Sequence, residues 1–292
     1  MPISVEKRAR IVVPLPQATT LKARGDLPAA TAMILDNHAA KIRVLGPEHR
    51  DTCLAALNLV ALWITAGRLD EAEALLAPTL ATLSRDLGAT HPSTLSAVMR
   101  RACVCQERGQ HAEATEILQR VHTAFGTAYG DDHPDTMKTA WRLGALKIIQ
   151  GAATAWEDLF DALDTLETTA ERQRKVLGPA HPDTAKTLVS VGRVVLLLVE
   201  VESDPTAAEV AESQDRAAGL FKRALAAQSA ALHPDHPDLA ETKALLARLC
   251  CSKHTVASSE VPTAGVIGAD EELSKWYCDG CDRWVLAQKL PI

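Results

Sequence analysis

The sequence predicts an all-α fold: a right-handed superhelical array, or α-solenoid, of antiparallel helix hairpins. Three observations predict it. Histidine recurs at His49, His91, His133, His181 and His236, and proline follows it in every copy but the first, where Arg50 stands. One glycine series, Gly25, Gly67, Gly109 and Gly151, is spaced by 42 residues throughout. A second series, Gly46, Gly88, Gly130 and Gly178, lies just before the first four histidines. Several markers held in phase at a fixed period are the mark of a stacked repeat.

Each marker has a physical role in one unit of helix, tight turn, helix and short loop. The glycine before each histidine stops a helix, because it takes the left-handed conformation at little cost. The proline after the histidine opens the next helix, where its missing N–H is not needed. The aspartates at 51, 135, 183 and 238 suit the positive end of that helix. The series at 25, 67, 109 and 151 is expected in the turn inside each pair.

The elements follow in order. Residues 1–24 carry Glu6, Lys7, Arg8 and Arg10 and then Pro14 and Pro16. They are expected to be irregular, and they lack the apolar core of a secretory signal. A partial copy follows, legible only in its second helix through Ala30, Met33 and Ile34. In the first full copy, helix one is expected from Asp51 to Ala66, with Leu54, Leu57, Leu59, Leu62 and Trp63 at helical spacing. Helix two is expected from Leu69 to Leu87, with Ala72, Leu75, Leu76, Leu80 and Leu83 on one face. One period later the same face reads Ala114, Ile117, Leu118 and Phe125. The small residues Ala30, Ala72 and Ala114 would let paired helices approach closely. Arg101 stands where other copies have Leu59, Leu143 and Val191, which predicts either looser packing or a side chain reaching out to water. The later copies carry insertions. The one between Gly151 and His181 is expected to lengthen a second helix. The one between His181 and His236 holds Ser203, Asp204 and Pro205 and is expected mainly to widen a turn. The array should span residues 25–251, followed by a linker at 252–274 and a tail at 275–292.

Composition narrows the function. Hydrophobic residues make up 47% of the chain but aromatics only 3%, a mix rich in Ala, Leu and Val that suits closely packed helices. The net charge of −6 argues against bulk attraction to nucleic acid or anionic lipid. No apolar run approaches the length of a membrane span; the longest candidate is residues 194–199. The seven cysteines, Cys53, Cys103, Cys105, Cys250, Cys251, Cys278 and Cys281, are an odd number, and with no signal they fit a reducing, cytoplasmic setting. The first five are expected to pack as small hydrophobes. No glycine-rich phosphate loop, G-x-S-x-G turn or H-E-x-x-H motif occurs, so no enzyme is expected. The repeating histidines suit a cap or backbone hydrogen bond at the loop better than a metal site. His233 and His236 flank Pro234 and Asp235, but no further ligands accompany them.

The phrases NLVALWITAGRLDEAEALL at 58–76 and LGPAHPDT at 177–184 resemble the tetratricopeptide repeat, in the 42-residue variety of kinesin light chains. The resemblance extends over residues 25–251. It implies a non-enzymatic scaffold or adaptor that binds a peptide segment of a partner protein and requires no cofactor. In peptide-binding members, the residue just before the conserved apolar pair faces the concave groove. That position is Asn58 here, and Arg100 and Arg142 in the next two copies. Lys138, Lys186 and Arg193 are expected on the same face, with Trp141 nearby as a possible aromatic anchor. Such a basic stripe predicts an acidic peptide or a C-terminal carboxylate as ligand. The plainer reading is a solvated basic face with Trp141 in the core.

In the tail, Cys278 and Cys281 form C-x-x-C, a spacing that lets two thiolates grip one zinc ion. YCDGCD at 277–282 resembles the opening of a ZZ-type zinc finger, which implies a protein-interaction module. Three readings stand: a truncated finger, a site completed by a second chain, or a tail without metal. Truncation is favoured. The alternative function is accordingly a regulatory fragment of a larger multidomain protein. The sequence names neither the partner nor the oligomeric state.

Overall fold

The chain folds as its markers dictate, in a computed structural model that describes residues 18, 21, 26–151, 156–257, 275–278 and 283–286. Among these are the helices α1 (Leu27–Leu45), α2 (Arg50–Thr65), α3 (Leu69–Leu87), α4 (Pro92–Glu107) and α5 (His111–Tyr129). They continue as α6 (Pro134–Gly151), α7 (Trp156–Val176), α8 (Pro182–Val201), α9 (Ala207–Ala231) and α10 (Pro237–Ala257). Strands β1 (Lys275–Cys278) and β2 (Arg283–Leu286) pair antiparallel, with Cys278 opposite Arg283. Each helix packs on the next in sequence, and α2 also meets α4 as α6 meets α8. The result is an α-solenoid in which the even-numbered helices from α2 onward are the first helices of successive pairs. None of the described helices is long and apolar enough to cross a membrane.

The histidines cap. In each copy Nδ1 of the ring accepts the backbone N–H two residues on. His49 takes Asp51 N–H at 3.1 Å, His91 takes Ser93 at 3.1 Å, and His133 takes Asp135 at 3.2 Å. His181 takes Asp183 at 3.1 Å and His236 takes Asp238 at 3.2 Å. One orphan donor per helix start is thereby satisfied. A buried threonine one turn in completes the joint: Thr136 Oγ1 donates to Gly130 O at 2.8 Å, and Thr184 Oγ1 to Gly178 O at 3.0 Å. The glycines Gly46, Gly88, Gly130 and Gly178 have φ from 85° to 96°, the left-handed range expected of them.

The core is a row of small clusters between neighbouring pairs. One joins Leu57, Val60, Leu76 and Leu83 to Ala97 and Val104; the next joins Leu95 and Met99 to Leu118, Phe125 and Leu143. The small position of the second helices holds: Ala30, Ala72 and Ala114 are 0% exposed, and the inserted copies repeat it with Ala162 and Ala217, also 0%. Cys53 and Cys105 are buried as small hydrophobes, while Cys103 is half-buried. Of the two outcomes expected for Arg101, the structure takes the second: its side chain reaches solvent and pairs with Glu113 at 3.3 Å.

Four expectations are corrected. Gly67 and Gly109 sit in their turns with φ of 72° and 76°, but Gly151 is the last residue of α6 and is buried. A Cβ there would come within 2.8 Å of Leu159 Cγ, so this glycine serves close helix approach instead. The insertion before His181 is shared: α6 has 18 residues against 16 in α2 and α4, and α7 has 21 against 19 in α3 and α5. The later insertion goes mostly into helix, with α8 at 20 residues and α9 at 25. Thr206 and Glu209 form a reciprocal capping box that starts α9 directly after Pro205, which keeps the turn short. Finally, α10 continues through Ala257, past residue 251, the expected end of the array; residues 258–274 of the expected linker lie outside the described residues.

The partial first copy is fuller than its sequence shows. Ala18 is helical and 2% exposed. Asp26 N–H donates to Leu21 O at 3.0 Å, the bond that Arg68 makes to Trp63 at 2.8 Å and Gln110 to Cys105 at 2.9 Å.

Candidate peptide-binding groove

The period of 42 places Asn58, Arg100 and Arg142 at one register position on α2, α4 and α6. Because first helices stack side by side, that position becomes contiguous in space. Asn58, Arg100 and Arg142, with Lys138 one turn before Arg142, line a single cavity of about 650 Å³. Its walls include Ile34 of α1, Leu62 of α2, and Cys103 and Gln106 of α4. Ala18, Asn58 and Arg100 also line an adjoining cavity of about 460 Å³ with Asn37 and Lys41.

The charge here is unbalanced. Arg101 and Arg108, on or next to α4, both pair with carboxylates, Arg101 with Glu113 and Arg108 with Asp70 and Glu73. Arg100 and Arg142 have no such partner among the described residues, and the Nε of each is buried without a hydrogen-bond acceptor. A buried, unsatisfied donor is costly and calls for an explanation. Burial holds the Arg100 guanidinium below the ordinary arginine range, opposed first by Cys103 and then reinforced by the Arg142 charge. Lys138 touches water, yet it stands in a concave site crowded by protein. Desolvation lowers its pKa, followed by the charges of Arg142 and Arg100. Among the described residues that line the cavity, the one carboxylate is Glu107, exposed at the end of α4.

Beyond this cluster the stripe changes character. Trp141 is half-buried, packs beside Ile148 and Val191, and donates its Nε1–H to Ser190 Oγ at 3.0 Å. Lys186 Nζ lies 4.6 Å from its ring centroid and the Arg142 guanidinium 5.7 Å from it, within cation–π range. Arg193 is paired with Glu241 of α10 at 3.0 Å. The structure therefore gathers Asn58, Arg100, Lys138 and Arg142 into one cavity, places Trp141 and Lys186 next to it, and ties Arg193 into an ion pair.

Sequence reasoning missed Asn37 and Lys41, because only first helices were searched and these lie on the second helix α1. It also missed Ser96, Cys103 and Glu107. Their positions four before, three after and seven after Arg100 put them on its face of α4, so the helical period could have found them. Cys278 lies in β1, and Cys281 lies outside the described residues. Among the described residues no group of three His, Cys, Asp or Glu side chains could hold a metal ion.

A sequence profile of the tetratricopeptide repeat matches residues 55–126. No curated protein matches the chain by sequence. Among solved structures, it is similar to the nearly identical TPR-like repeats of a candidate kinesin light chain from Podosopora anserina. That match has 22% identity, covers 71% of this chain and 90% of the other, and has a TM-score of 0.51. BtubC (BKLC) from P. vanneervenii is similar over 94% of this chain and 100% of its own length, at 13% identity and a TM-score of 0.51. At these identities the likeness is one of fold. Residues 55–126 thus match a tetratricopeptide repeat, and the structural neighbours include kinesin-light-chain-like repeats.

Proposed function

We propose that this protein is a non-enzymatic, cytoplasmic scaffold that holds a negatively charged peptide segment of a partner protein in its concave groove. Tetratricopeptide arrays are protein-interaction scaffolds in general; the finer reading rests on one observation. Among the described residues, Arg100, Lys138 and Arg142 share a cavity in which Glu107 is the one carboxylate, and two buried guanidinium Nε atoms lack acceptors. Buried cations are stable when paired, so the partner is read as the supplier of the missing anion. Stacked helices hold the donors in place, so binding chiefly orders the peptide. Trp141 and Lys186 extend the surface toward α8.

The test is a pull-down comparing the native chain with Arg100→Glu/Arg142→Glu, with circular dichroism on both. Loss of specific partners from a mutant that keeps its helicity is the expected result. Retention of the same partners would move the binding site to the convex face or the tail.

A further inference from the structure

The peptide reading leaves the kind of anion unspecified, and the shape of the charge distribution bears on it. Resting on that reading, we infer that the cavity between α2, α4 and α6 takes a phosphorylated side chain of the partner peptide in preference to a run of carboxylates. A run of carboxylates needs cations spaced along the groove. The structure instead interrupts the stripe: Arg193 is neutralised by Glu241 at 3.0 Å, and Lys186 lies over the Trp141 ring. What remains is compact, with Arg100, Lys138 and Arg142 on one cavity of about 650 Å³.

The balance of charge agrees. Among the described residues, three cations line the cavity against one carboxylate, Glu107, with Asp183 and Asp135 acting on Lys138 from outside the lining; a phosphate monoester, at about −1.5 to −2 at neutral pH, is close to the excess of the lining. One carboxylate would leave half of that excess uncompensated. Two guanidinium groups offer planar forks to phosphate oxygens, and the amides of Asn58 and Gln106 on the same cavity add neutral donors. Lys138, whose pKa is lowered first by desolvation and then by the charges of Arg142 and Arg100, gains a counter-charge from a dianion.

The experiment is fluorescence anisotropy on the full chain with three pools of nine-residue peptides that differ at the central position: phosphoserine, glutamate or serine. The phosphoserine pool is expected to bind about tenfold more tightly than the glutamate pool. Its affinity should fall as pH drops through about 6, where the phosphate takes up its second proton. Arg100→Gln/Arg142→Gln should abolish the preference; Lys138→Gln, at an exposed position, should weaken it and serves if the double variant does not fold. Equal binding of phosphoserine and glutamate pools, both above serine, overturns the phosphate inference and leaves the acidic-peptide reading standing. No advantage of either pool over serine overturns both. Displacement by inorganic phosphate as effective as by the phosphoserine pool also overturns the inference, because the site would then recognise a free anion.

Discussion

At the scale of single residues, the histidine of each repeat explains itself once its Nδ1 is seen to accept a backbone N–H. Asparagine, aspartate and serine are the usual caps. Imidazole does the same work here while its ring fills the joint, as His133 does beside Phe125 and Tyr129, with centroids 6.4 Å and 5.1 Å away. Replacing His91 by leucine keeps the bulk and removes the acceptor. It should cost about 1 kcal/mol in denaturant unfolding, and His91→Asn should recover most of that loss. Equal stability of the two variants would show that the ring packs but does not cap. Arg101 teaches a related lesson: a charged residue at an apolar register position is accommodated because its head reaches water and Glu113.

At the scale of elements, the small residues decide how closely helices approach. Gly192 of α8 lies so near Phe221 of α9 that a Cβ would stand 2.4 Å from Phe221 Cε1. The ring is 0% exposed and has little room to move. Gly192→Ala is therefore expected to destabilise the fold by about 1–3 kcal/mol through overpacking. Adding Phe221→Leu should recover part of that loss, so a thermal melt of the two singles and the double variant would show non-additivity. A helix gains from glycine→alanine in isolation, so a stabilised Gly192→Ala variant would refute the contact. The same logic explains Gly144 under Leu166 and Gly151 under Leu159.

At the scale of the whole molecule, each pair of helices touches mainly its neighbours, and stability is then close to a sum of local terms. Leu118→Ala, which empties a site that is 1% exposed in the cluster of α4, α5 and α6, should cost about 3–5 kcal/mol. Amide hydrogen exchange should show the loss of protection centred on α4–α6 and weaker at α9 and α10. A uniform loss along the chain would mean that the array unfolds as one cooperative unit. The same stacking produces the groove. No single helix holds Arg100, Lys138 and Arg142 together; two consecutive first helices, α4 and α6, bring them to one cavity.

What the sequence determined by itself is whatever depends on local chemistry repeated in phase. Proline, glycine and the histidine cap act within a few residues of their own positions. Helix starts and stops from α2 to α5, the apolar faces and the shared register of Asn58, Arg100 and Arg142 could therefore be read directly. The tertiary structure alone decided what depends on neighbours far along the chain. Gly151 reads like a turn glycine, and only contact with Leu159 makes it a packing residue. The inserted residues around Pro205 read like a loop, but the reciprocal cap of Thr206 and Glu209 starts α9 directly after that proline. Lys186 and Arg193 read as continuations of a basic stripe, yet Trp141 and Glu241, 45 and 48 residues away, engage them. Spacing fixes which face a side chain leaves from; only packing decides whether its charge meets a partner on arrival.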